Sequence, residues 1–137
     1  MPLSNLDNLV KTSQLKIEPM NQLEFDGLLH SGKTRLHDAT NASLAAESQF
    51  DLAYNAAHSL SLAALRWHGY RSGNRYLVFQ TLPHTLNVGP EVWRVLAKCH
   101  DCRNVAEYEG YFEIDEQLLK DLLTATQTLL ARVSSLK

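Results

Sequence analysis

Apolar positions recur every three to four residues along nearly the whole chain, which is the period of a helix buried on one face. The last segment reads most plainly. Leu118, Leu122, Ala125, Leu129 and Val133 form one stripe, and Asp115 and Glu116 favour a helix start, so a helix is predicted over about 114–135. A longer stripe of Ala46, Phe50, Ala53, Tyr54, Ala57, Leu60, Ala64 and Leu65 predicts a helix over 43–68. Seven alanines lie within it, and such small residues let neighbouring helices approach closely. Gly69 is placed to end it.

Ser4 and Asp7 have the spacing of a capping box, so a short helix is predicted over 5–15 and ends before Glu18-Pro19. Phe25, Leu28, Leu29, Gly32, Leu36 and Ala39 predict a helix over 20–41, weakened by Gly27 and Gly32. Residues 75–87 read as a short apolar helix interrupted at Pro83, and Tyr76-Leu77-Val78-Phe79 is the one stretch that could instead be a strand. Pro90 suits the first turn of a further helix. Val92, Val95, Leu96, Cys99, Cys102 and Ala106 form its stripe, and Gly110 stops it. The whole predicts an all-α, antiparallel up-and-down bundle of four to six helices. It is read as one domain over 1–137, with 1–18 as a short helical extension.

Composition narrows the class. The chain is 45% hydrophobic and 20% charged, which is globular rather than disordered or membrane-like. No apolar run is long enough to cross a bilayer. The amino terminus lacks a signal-peptide layout, so a cytoplasmic location is expected. A net charge of −2 gives nucleic acid no overall attraction, so binding it would require a local basic patch. Cys99 and Cys102 form a C-x-x-C without a second ligand pair or a βαβ context. They read as reduced thiols on a helix, with Cys99 facing the core, and neither a metal nor another cofactor is expected.

Three constellations could carry chemistry. Arg103, Asn104 and Tyr108 stand near the end of one predicted helix. Arg103 and Tyr108 are about 500° apart in helical turn, near each other but not in line. A guanidinium there could bind phosphate, or it could clamp two helices through a carboxylate such as Asp51. Asp51, Asn55 and His58 share a helix face at i, i+4 and i+7. They are either a groove wall or a solvated face, and they gain weight if Arg103 lies opposite. Arg66-Trp67-His68-Gly69-Tyr70-Arg71 and Arg75-Tyr76 place arginines among aromatics at a helix end. That pattern suits phosphate contact and base stacking, or alternatively a helix-end cap with rings plugging the bundle. The remaining histidines show no ligand spacing, and His100-Asp101 reads as a surface pair.

The Phe50–Ala57 core, the Gly69-Tyr70-Arg71 end, the Arg103-Asn104 step and the Tyr108-Glu109-Gly110 exit occur in the order that resembles the HEPN superfamily of small helical bundles, over roughly residues 20–135. The resemblance implies a four- or five-helix bundle, often a homodimer. Active members are metal-independent ribonucleases with an R-x(4–6)-H motif, whose two copies meet across the dimer. Many are toxins paired with a nucleotidyltransferase or another antidote, and others are non-catalytic modules. Arg103 and Asn104 match the first motif positions, whereas Tyr108 stands where the histidine is expected. A phenol is a poor general base at neutral pH. The resemblance therefore implies an RNA-, nucleotide- or partner-binding module with weak or no catalysis. The alternatives are a toxin-type endoribonuclease acting through a dimeric Arg103 cleft, with His100 or His58 as acid and base, and a purely structural interaction bundle. Arg94 and His100 also fit the motif spacing, and this is read as coincidence.

Overall fold

The computed structural model describes residues 2–110 and 114–136, with the side chains of all of these except residues 2–4, 107 and 108. The chain forms an all-α bundle. Its helices are α1 (Pro2–Lys11), α2 (Gln22–Ala39), α3 (Ala46–Trp67), α4 (Arg75–Gln80), α5 (Leu82–Thr85), α6 (Pro90–Glu109) and α7 (Glu116–Ser134). Among the described residues these are seven rather than four to six, because the apolar stretch after residue 75 divides at Thr81, ahead of Pro83, into two short helices. Asn21, Asn74 and Asp115 begin α2, α4 and α7 by accepting from Glu24 N, Leu77 N and Gln117 N, each at 3.0 Å. Gly110 ends α6 in the left-handed conformation, φ 72°, which glycine adopts at least cost.

Helix α3 is central and packs against α2, α7 and the shorter helices around it. Ala53, Ala56, Ala57, Ala63 and Ala64 are all fully buried. The approach to α2 is close at Gly32, where a Cβ would lie 2.6 Å from Leu60 Cγ. The glycine that weakened the helix prediction is thus what lets α2 meet α3. The predicted α7 stripe is buried throughout, and Val92, Leu96 and Cys99 of α6 join it in the core. Helix α1 starts earlier than its capping-box spacing predicts, at Pro2 instead of Asn5. It closes a second apolar cluster of Leu6, Leu15, Leu65, Tyr70, Leu77 and Val78.

Strand placement differs from expectation. Residues 76–79 are helical within α4, and the strands are two short antiparallel pieces, β1 (Lys16–Ile17) and β2 (Tyr70–Arg71). Neither carries an alternating pattern. They are held by what surrounds Arg66, a long-range arrangement with no local signature. Arg66, 1% exposed, makes four hydrogen bonds and a further ion pair. Nε meets the Glu24 carboxylate. Nη1 donates to the carbonyls of Glu18 at 2.8 Å and Tyr70 at 3.3 Å. Nη2 donates to Pro19 O at 2.7 Å and lies 3.3 Å from the Glu18 carboxylate. Arg71 adds a bond from Nε to Glu18 at 2.9 Å and a second ion pair to Glu24. The guanidinium beside Glu24 holds that carboxyl below its ordinary 4.5, against the upward push of burial.

Candidate anion-binding site

The α3 face carrying Asp51, Asn55 and His58 does meet Arg103. Helix periodicity sets the first three in line, and α4 and α6 bring the partners. Arg103 Nε lies 3.5 Å from Asp51 Oδ1. Asn55 bridges inward and outward: its amide donates to Asp51 O at 2.9 Å, and its oxygen accepts from Arg75 Nη1 at 3.1 Å. At the centre stands Tyr54, 1% exposed, with both guanidinium carbons near its ring, Arg103 at 5.0 Å and Arg75 at 5.7 Å from the centroid. An aromatic face attracts such cations without neutralising them.

His100 completes the cluster. Its Nδ1 is 2.9 Å from Tyr54 Oη and its Nε2 is 3.1 Å from Asn104 Nδ2. In the tautomer where the Asn104 amide donates to Nε2, Nδ1–H donates to the phenol oxygen. The exposed ring of Tyr76 lies 5.4 Å from the imidazole. His100 is expected from the sequence as a surface pair with Asp101, and beside Arg103 only in the ribonuclease alternative. The available signal was that Asn104 lies one helical turn beyond His100, so the two share a face. Arg94 is not part of the cluster. It stacks over Trp93 at 5.4 Å on another side of α6, so its spacing to His100 has no geometric counterpart.

Arg75 donates to a neutral amide, and Asp51, a carboxylate paired with Arg103, is 61% exposed. An exposed pair of this kind contributes at most about 1 kcal/mol. His58, half-buried and edge-on to Phe79 at 6.2 Å, has its pKa pushed down to about 4 by burial and then by Arg75 and Arg103, so it is neutral at pH 7 and adds no charge.

The other proposed residues separate from this group. Arg66 is 15 positions beyond Asp51, roughly 22 Å along the helix axis, and is saturated by its own partners. Arg71 is committed to Glu18 and Glu24. Trp67 packs on Phe25 at 5.0 Å, and His68 Nε2 lies 3.1 Å from Thr85 O. Of the arginine-aromatic segment, only Arg75 and Tyr76 reach the site, while the rest caps the helix end. The Tyr108 side chain lies outside the described residues. Cys99 is buried and its thiol is pushed up to about 12, chiefly by burial. Among the described residues no three metal-type side chains converge, and no helix is long and apolar enough to cross a membrane.

No family model matches the chain, and no curated protein or solved structure matches it either.

Proposed function

We propose that this bundle is an RNA- or nucleotide-binding module of the HEPN kind, with weak or no catalysis, that takes a phosphate between Arg75 and Arg103. The observation that carries the reading is the approach of two guanidiniums, from α4 and α6, to the ring of one buried tyrosine. Guanidinium matches phosphate geometry bidentately, and an incoming phosphate replaces the loose Asp51 contact at small cost. Tyr76, exposed beside His100, is available to stack on an unpaired base.

The test is fluorescence anisotropy with a labelled single-stranded RNA at several salt concentrations. Arg75→Ala and Arg103→Ala are each expected to weaken binding about tenfold, the worth of one charge-assisted hydrogen bond. Each is also expected to lower the salt slope by about 0.7. Unchanged affinity in both variants refutes the site.

A second reading, a metal-independent endoribonuclease of toxin type, gains support from His100, an imidazole three residues before Arg103 and bonded to the adjacent Asn104. Imidazole is suited to proton transfer at neutral pH. Cleavage of a labelled RNA pool in EDTA, lost in both His100→Ala and Arg103→Ala, selects it. Intact RNA throughout selects the binding module. The resemblance adds a homodimer and an antidote partner such as a nucleotidyltransferase, which sedimentation and co-purification test.

A further inference from the structure

A second feature lies on roughly the opposite face of α6 from His100 and Asn104, at ~100° of turn per residue. A groove of about 260 Å³ runs between α6 and α7. Arg94 and Lys98 of α6 form one wall. Asp115, Gln117 and Asp121 of α7 and its cap form the other, and the half-buried Val95 and buried Leu118 lie between them. Opposite charges therefore face each other across an apolar floor.

They do not close on one another. Ion pairs elsewhere in the chain approach to 2.8 Å and 3.5 Å, whereas among the described residues none spans this groove. The reason is that three of the four charges are held by their own helix. Arg94 stacks over Trp93, the Asp121 carboxylate accepts from Gln117 Nε2 at 2.9 Å, and Asp115 caps the Gln117 amide at 3.0 Å. Lys98 is the long, flexible cation that remains.

We infer that this groove binds a small zwitterion of the α-amino-acid type, its carboxylate toward Lys98 and Arg94, its ammonium toward Asp121, and an aliphatic side chain over Val95 and Leu118. A plain anion meets the carboxylate wall and a plain amine meets the cationic wall, so each is repelled by one side. A zwitterion satisfies both. The volume lies just below the ~300 Å³ at which sites for drug-sized ligands begin, which suits a ligand of this smaller class.

The experiment is a titration of the full-length, isotope-labelled protein with L-leucine, followed by amide chemical shifts. Parallel titrations use isopentylamine and 4-methylpentanoate, which each keep the side chain and one charge. Saturable shifts confined to residues 94–98 and 115–121 are expected with L-leucine and not with the two analogues. Lys98→Met, at an exposed position, and Asp121→Asn, at a half-buried one, are each expected to weaken the leucine response at least about tenfold. Arg103→Ala should leave it unchanged. The inference is overturned by an absence of saturable shifts well above millimolar leucine, by equal responses to the analogues, or by an unaltered response in both groove variants.

Discussion

Replacing Arg66 with methionine tests whether a helix-end arginine serves the fold or a ligand. The side chain is 1% exposed, donates to three carbonyls and the Glu24 carboxylate, and pairs with the Glu18 carboxylate. Methionine keeps much of the volume and removes every donor. Breaking one side of a buried ion pair costs about 3–5 kcal/mol. Glu24 and Glu18 are 33% and 46% exposed, so water recovers part of their solvation, and the lower end applies. The expected loss is therefore about 3 kcal/mol, a fall in Tm of roughly 10–15 °C for a domain of this size. Urea titration at constant m reads it directly. The acid limb changes as well. Because the folded Glu24 carboxyl titrates below its ordinary 4.5, its contribution is complete above that pH and is lost as pH falls below it. Arg66→Met should flatten that limb, with Arg71 retaining part of it. RNA affinity, measured where the variant is folded, should be unchanged. A loss of under about 1 kcal/mol with a marked fall in RNA binding would refute the reasoning and return Arg66 to the binding surface.

Two alanine substitutions in α2 should move Tm in opposite directions. Gly27→Ala meets nothing within 4 Å and gains about 1 kcal/mol of helix propensity. Gly32→Ala places its Cβ 2.6 Å from the fully buried Leu60, where overpacking of about 1–3 kcal/mol outweighs the same gain; a stabilised Gly32→Ala would contradict the close α2–α3 approach. His58 gives a pH signature: its folded pKa of about 4 lies below the ordinary 6.5, so the unfolded chain holds more protons between those values and stability rises with pH across that window, by roughly 3 kcal/mol. Denaturation of His58→Gln across the same range should lack that slope. Cys99, with its thiol pushed up to about 12, should resist iodoacetamide in the folded protein while the half-buried Cys102 reacts, a difference mass spectrometry resolves and that unfolding should abolish.

The segment from Arg66 to Tyr76 shows where local pattern stops carrying information. Its arginines and aromatics look alike in sequence, and two uses were open for all of them. Gly69, at φ 88°, turns the chain so that residues 70–71 run back along β1, and that return decides the matter. Before the turn, Arg66 points into carbonyls supplied from residues 18, 19 and 70, whereas after it, Arg75 emerges beside Asn55 and Tyr54. Little within eleven residues encodes this, because apart from Tyr70 O the acceptors of Arg66 lie 42 to 48 positions away in the chain. Features set by one helix were legible by contrast: the α7 stripe, the Gly110 stop, and the common face of Asp51, Asn55 and His58. Arg103 opposite Asp51 was foreseeable as one of two arrangements, since only the register of α6 against α3 chooses between them. His100 required the same register, and a carboxylate next to it in sequence offered an easier but misleading partner. The cluster around Tyr54 is thus assembled from faces that are individually readable, and its chemistry arises only where they meet. Substitutions that shift the α3–α6 register without touching a charged residue should therefore disturb the site as much as loss of an arginine. Leu96→Ala, in the fully buried part of α6, is the variant to measure by RNA anisotropy, and unchanged affinity in a folded protein would show that the site tolerates such a shift.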